Sequence, residues 1–355
     1  MATDLTRRHF VGLCAGLGVL PLSQLVSATG TTAFLSAYRD PSGNFGVAAL
    51  DDVGTVLFTE ALPARGHDTV QSPDGRTAVT FARRPGRFAL VFDLQQHRPA
   101  FAFQAAPSRH FYGHGFFSND GRLLLATEND YTGERGVMGI YDVQAGYRRI
   151  GEFETHGIGP HEALLLAGGQ TVAIANGGIV THPDYPRQKL NLPTMAPLLT
   201  YINVETGDVI ERASLATNLH QLSIRHLTQT ADGAVWFGGQ YEGAPTDEVP
   251  LIGRHRLGQP IEMLPLPPSA QRGLRQYVGS IKANGMLVAV SSPRGGVALK
   301  LDAEGGRVLE TQVMPDVCGT AALGSGFVHS GGNGSFAAAE TIQLPLQWDN
   351  HLRGL

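Results

Sequence analysis

A chain of 355 residues, 42% hydrophobic and 16% charged, with 45 glycines and a formal net charge of -4, is long enough to bury a large core. Abundant glycine with sparse charge suits a turn-rich all-β chain better than a helical one. The weakly acidic balance excludes the basic footprint that nucleic-acid binding requires.

The first residues read as an address rather than as part of a fold. Arg7 and Arg8 form a twin arginine, the run from Val11 to Leu20 is apolar but too short to span a bilayer, and Val26-Ser27-Ala28 offers a small-x-small cleavage site. This pattern resembles a twin-arginine (Tat) export signal over residues 1–28. It implies a periplasmic mature chain of 29–355 with no membrane span after cleavage. Cys14 falls inside the signal, so Cys318 is the single thiol expected in the mature protein and no internal disulfide can form.

Three strands follow, separated by the turns Asp40-Pro41-Ser42-Gly43 and Asp51-Asp52-Val53-Gly54. A repeated unit then begins. His67 leads its first copy, closed by the turn Ser72-Pro73-Asp74-Gly75, and His114 leads the second, closed by Ser118-Asn119-Asp120-Gly121. His161 and His226 lead two more copies, and two degenerate copies start near Tyr277 and Cys318. Short strands with glycine turns at this repeat length are the signature of a β-propeller. The expected blades are 66–106, 107–158, 159–217, 218–273, 274–315 and 316–345. The N-terminal strands lack a His-led inner strand, and the C-terminal Trp348-Asp349-Asn350-His351-Leu352 can supply one. The fold class is therefore all-β, one seven-bladed propeller closed by pairing the C-terminal strand with the N-terminal blade, with His351 leading that strand. The proline-rich stretch 181–197 reads as a loop, 264–270 reads as a surface connection, and no segment has sustained helical periodicity.

Residues at the same place in each copy form a ring at one mouth of the channel. His67, His114, His161, His226 and His351 fall in five consecutive blades and Cys318 in the seventh, with Glu162 beside His161. Imidazole and thiolate suit Fe, Cu or Zn, so this set is the candidate metal site. Adjacent blades could share an ion, whereas opposite blades would need a large cofactor. The alternative is a ring of purely structural histidines bonded to backbone carbonyls. If His220 and His226 lie on one straight strand, they stand roughly 13 Å apart. Arg109, Arg225, Glu128 and Tyr131 are candidates for cofactor contacts, and arginines converging on one face would favour a carboxylate or phosphate. No catalytic set is assigned: there is no nucleophile elbow, and the Gly-Gly pairs fall at strand ends.

The motifs GHG, TENDY-x-GxxG, GIGPHE, LHQLSIRHL, SPRGG and the closing WDNHL together resemble a family of Tat-exported bacterial propeller proteins encoded beside imelysin-like iron-uptake lipoproteins. The resemblance implies a role in periplasmic iron acquisition, so the chain is read as an accessory protein of iron or metal uptake with iron-uptake proteins as partners; a monomer is expected. A His-lined propeller mouth is also similar in logic to the copper cluster of nitrous oxide reductase. Two other functions stay open: a non-catalytic interaction platform, and a metal-dependent hydrolase or redox enzyme using Glu162 or Asp130.

Overall fold

The computed structural model describes residues 30–355, apart from 97, 186 and 187 and the side chains of 98–100. The export signal expected over 1–28 lies outside the described residues.

Seven antiparallel sheets follow one another along the chain. The first blade holds β1 (Phe34–Arg39), β2 (Phe45–Leu50) and β3 (Val56–Leu62). The second holds β4 (Gly66–Gln71), β5 (Thr77–Ala82), β6 (Phe88–Asp93) and β7 (Arg98–Gln104), and the third β8 (Arg109–Phe117), β9 (Leu123–Asp130), β10 (Arg135–Asp142) and β11 (Arg148–Glu154). The fourth holds β12 (Pro160–Leu165), β13 (Thr171–Asn176), β14 (Leu198–Asn203) and β15 (Val209–Ser214). The fifth runs through β16 (Leu222–Gln229), β17 (Val235–Tyr241), β18 (Ile252–His255) and β19 (Glu262–Met263). In the sixth are β20 (Ser280–Asn284), β21 (Leu287–Ser292), β22 (Val297–Asp302) and β23 (Val308–Val313). The seventh has β24 (Val317–Leu323), β25 (Gly326–Gly331), β26 (Ser335–Ala337) and β27 (Thr341–Gln343). The expected seven-bladed propeller is thus the observed architecture.

The turns between the two innermost strands explain why the blades repeat. Ser72, Ser118 and Thr230 each donate a hydroxyl to the carboxylate two residues on, Asp74, Asp120 and Asp232, in all three cases at 2.6 Å. A short polar side chain that bonds within its own turn, followed by glycine, fixes the tight bend from local sequence alone. Apolar side chains from facing sheets then fill the wedges between blades. Among the described residues, seven separate clusters of buried residues occur, one for each pair of neighbouring blades. The smallest, Ala298, Met314, Val317 and Ala337, lies between the sixth and seventh.

The C-terminal segment closes the ring as expected, but not as one strand led by His351. It forms two short pieces, β28 (Gln347–Trp348) and β29 (Arg353–Gly354), both antiparallel to β1. Residues 349–352 between them leave the ladder, and His351 sits in this break, its carbonyl accepting the Ser36 hydroxyl at 2.7 Å. Two further local expectations change. The connection at 264–270 runs into a short helix, α1 (Pro268–Gly273), because consecutive prolines preset its first turn. His220 caps a 3-10 turn, Thr217–Leu219, instead of extending β16, so it does not share a straight strand with His226.

Candidate metal centre

A straight strand sends successive side chains to opposite faces, so it can offer the channel only every second residue. The inner strands avoid this limit. The register shifts between Gly66 and Thr69 in β4, Phe111 and Gly115 in β8, Pro160 and Glu162 in β12, Ile224 and His226 in β16, and Val317 and Thr320 in β24. Every one of these irregularities holds or directly adjoins a ring position, and the break at 349–352 holds His351. A bulge re-aims side chains and bends the strand, so neighbouring polar residues such as His67-Asp68 and His161-Glu162 can serve one site. The sixth blade's β20 pairs without a shift and brings no histidine. In β8 the bulge depends on glycine. Gly113 has φ +103°, and a Cβ there would lie 2.4 Å from the His67 ring, so no other residue lets His67 and His114 approach.

The five histidines converge into one buried cluster. Ring centroids are 4.9 Å apart for His67 and His114, 5.0 Å for His114 and His161, 4.8 Å for His161 and His226, and 4.5 Å for His67 and His351. His226 and His351, from the fifth and first blades, also come within 5.0 Å. This corrects the expectation that distant blades could share only a large cofactor, because the bulges carry the rings across the narrow channel. Two overlapping groups, His67/His114/His351 and His114/His161/His226, each place one nitrogen per ring within 4.8 Å of the others. An ion held at about 2.0–2.1 Å from each nitrogen spaces its ligands by at most about 4 Å, so small ring rotations suffice for binding.

Three of the rings are oriented by carboxylates, each from the preceding ring histidine's own blade. Asp349 faces His67 Nδ1 at 3.1 Å, Asp68 faces His114 Nδ1 at 3.3 Å and Glu162 faces His226 Nδ1 at 3.1 Å. A carboxylate only accepts, so each Nδ1 carries a proton, and in a neutral ring so held Nε2 is the nitrogen with the lone pair a metal ligand needs. His114 Nε2, His226 Nε2, His351 Nε2 and His161 Nδ1 are buried without a hydrogen-bond partner among the described residues. Buried polar nitrogens are rarely left so, and several in mutual contact point to a shared cation.

Electrostatics favours the neutral form of His67, His161, His226 and His351. Burial pushes His67 down to about 3, against the pull of Asp349. Burial also holds His161 and His351 well below the usual range, helped by neighbouring imidazoles, and lowers His226 despite its bond to Glu162. Asp68 and Asp349 stay ionised. Burial opposes this, but Arg353 beside Asp68 and Arg83 beside Asp349, each with a histidine, hold both carboxyls well below the ordinary range. A histidine whose folded pKa lies below its unfolded value of about 6.5 stabilises the fold fully above that pH and progressively less as pH falls toward the folded value. The metal-free chain should therefore lose about 1 kcal/mol per such histidine between pH 7 and 5.5. Denaturant unfolding at the two pH values measures this, and equal midpoints would contradict the neutral cluster.

The remaining candidates fall elsewhere. Glu162 orients His226 and also accepts from the Leu227 amide at 3.3 Å, so it supports the ring instead of joining either three-histidine group. Cys318 occupies the seventh ring position, but its thiol turns to the Asp316 carbonyl at 3.2 Å, and burial pushes its pKa up to about 12. A buried thiol that stays protonated is a poor metal ligand. Glu128 is buried inside the third blade, bonded to Tyr141 and to Arg149 at 2.9 Å, and Arg109 pairs with Asp130 at 2.7 Å. Asp130 is further engaged by Arg135 at 2.8 Å, which removes it as a free acid or base. Tyr131 stacks on His110 at 6.2 Å, away from the cluster. Arg225 alone of this group stands beside the ring, next to His226 in the bulge of β16. Sequence reasoning missed Asp68, Asp349, Arg83 and Arg353. The dipeptides His67-Asp68 and His161-Glu162 were the available signal, since a bulge exposes both members to the channel.

The sequence pattern of the family described as "Protein of unknown function (DUF1513)" matches residues 60–355. The chain belongs to this family. That match takes in all five histidines. A search of the curated proteins finds no match. Among solved structures the chain is similar to Kuenenia stuttgartiensis hydrazine synthase, with a TM-score of 0.62 and 13% identity over 92% of this chain and 99% of that one. At this identity the likeness shows the fold alone. Among the described residues no helix is long and apolar enough to cross a membrane.

Proposed function

We propose that the chain is a transition-metal-binding propeller that takes one Fe, Cu or Zn ion into its five-imidazole cluster and serves metal uptake as a periplasmic accessory protein. One observation carries the metal reading: buried imidazoles, three of them oriented by carboxylates, converge with unpartnered nitrogens. A purely structural ring would satisfy those nitrogens with backbone carbonyls. All-nitrogen ligation suits borderline ions such as Zn, Cu and Fe over Ca or Mg. The periplasmic and iron-uptake parts of the proposal rest on the twin-arginine pattern and the family resemblance.

The test is metal content by mass spectrometry on protein exported by its own signal and purified without chelator. Near-stoichiometric Fe, Cu or Zn is expected in the wild type and in Cys318→Ser, and its loss in the triple His67/His114/His161→Ala variant. A metal-free wild type that also takes up none of these ions on reconstitution would refute the reading.

A further inference from the structure

Where the closing segment meets the first and seventh blades lies a cleft of about 490 Å³, within the range that small-molecule ligands fill. Its walls divide by chemistry. Tyr38, Phe45 and Trp348 supply aromatic surface, and Arg39 and Arg65 supply two guanidiniums. Trp348 pairs with Tyr38 in the ladder and packs edge-on against it, ring centroids 6.4 Å apart, so the pairing that closes the propeller also fixes the aromatic wall.

Several donors here have nothing to bond. Trp348 is 3% exposed, yet its indole Nε1–H meets no acceptor among the described residues. A buried indole N–H ordinarily finds one. Arg65 is held to Asp349 through Nε alone, which anchors the guanidinium and leaves both terminal nitrogens without a partner among the described residues. Arg39 makes no ion pair or hydrogen bond among them. Its Nη2 lies over Gly43, which also lines the cleft, 3.4 Å from where a Cβ would stand.

The charges do not balance. Asp349 is shared between Arg65 and Arg83, the latter at 2.9 Å, so one carboxylate serves two guanidiniums. The other acid on the wall, Asp316, has its carboxyl pushed up by burial, and the Cys318 thiol beside it stays protonated. With Arg39 unpaired, positive charge is in excess. A planar guanidinium fork matches the two oxygens of a carboxylate, and flat rings pack against aromatic walls.

We propose that this cleft binds a small aromatic carboxylate, its ring against Tyr38, Phe45 and Trp348 and its carboxylate on the terminal nitrogens of Arg65 and Arg39. The site uses none of the imidazoles and does not depend on their holding a metal. The two meet only at Asp349, which anchors Arg65 with one oxygen and faces His67 with the other.

The experiment is calorimetric titration of benzoate into the metal-free full chain, with acetate and neutral benzamide as comparisons. Benzoate should bind saturably. Acetate lacks the ring and benzamide lacks the charge, so each should bind about tenfold more weakly or worse. Arg65→Met should weaken benzoate by about the same factor. Because that change also loosens Asp349, Arg39→Met is the second variant: it breaks no bond in the fold and should weaken benzoate severalfold. No saturable benzoate binding, equal affinity for acetate or benzamide, or an affinity unchanged in both variants would overturn the site.

Discussion

His114→Ala should abolish tight metal binding, whereas His67→Ala or His161→Ala should weaken it and leave a complete three-histidine group. The reason is topological. His114 is the one residue common to both groups, and its ring contacts His67, His161, His226 and His351 at centroid distances of 4.9, 5.0, 6.0 and 4.6 Å. Without it, His67/His351 and His161/His226 remain as two pairs with no shared member. Loss of a partner that merely orients a ligand costs about 10–100-fold in affinity. Removing the shared ligand should exceed that, so a fall of more than about 100-fold is expected by chelator competition. Equal losses for all five single variants would show that the ion is not centred on His114.

Asp349→Asn should be costly for a different reason. The Asp349 carboxylate is 4% exposed and accepts from His67, Arg83, Arg65 and the Asn350 amide, joining the closing segment to the second blade. Breaking a fully buried ion pair by removing one partner costs about 3–5 kcal/mol. Arg65 and Arg83 keep contact with water, at 49% and 30% side-chain exposure, so screening reduces the expected cost to about 2–3 kcal/mol. The variant should melt several degrees lower than the wild type. It should also bind metal about 10–100-fold more weakly, since nothing then fixes the His67 tautomer. A melting point and a metal affinity both equal to wild type would mean that this carboxylate neither secures the closure nor orients the ring.

Much of the architecture was legible because propeller blades are local. Ser72, Ser118 and Thr230 turn the chain with their own aspartates, so the repeat is visible in any one copy. The positions of the histidines in the repeat follow from the same regularity. What each neighbouring residue does was not legible, because the decisive contacts cross blades. Asp68 serves His114 at a separation of 46 residues, Glu162 serves His226 at 64, and Asp349 serves His67 at 282. Alternation in a strand also gave no warning of the bulges, so two adjacent polar side chains on the channel were unforeseen. Cys318 shows the limit from the other side. Its place in the ring was readable, but the turn of its thiol toward Asp316 depends on backbone two residues away that bends only in the folded blade.

The first blade is assembled from two distant stretches, with β1 to β3 made before the other six blades and residues 347–354 made after them. Translation order therefore becomes part of the chemistry. While the ribosome is still making the seventh blade, four of the five imidazoles exist, but His351 and the Asp349 that fixes His67 do not. A nascent or prematurely stopped chain lacks both, and so has neither the closed ring nor the complete nitrogen set. An ion can be held in the five-imidazole arrangement only once residues 347–354 have been made and paired with the first blade, whereas the His114/His161/His226 group is present before that closure.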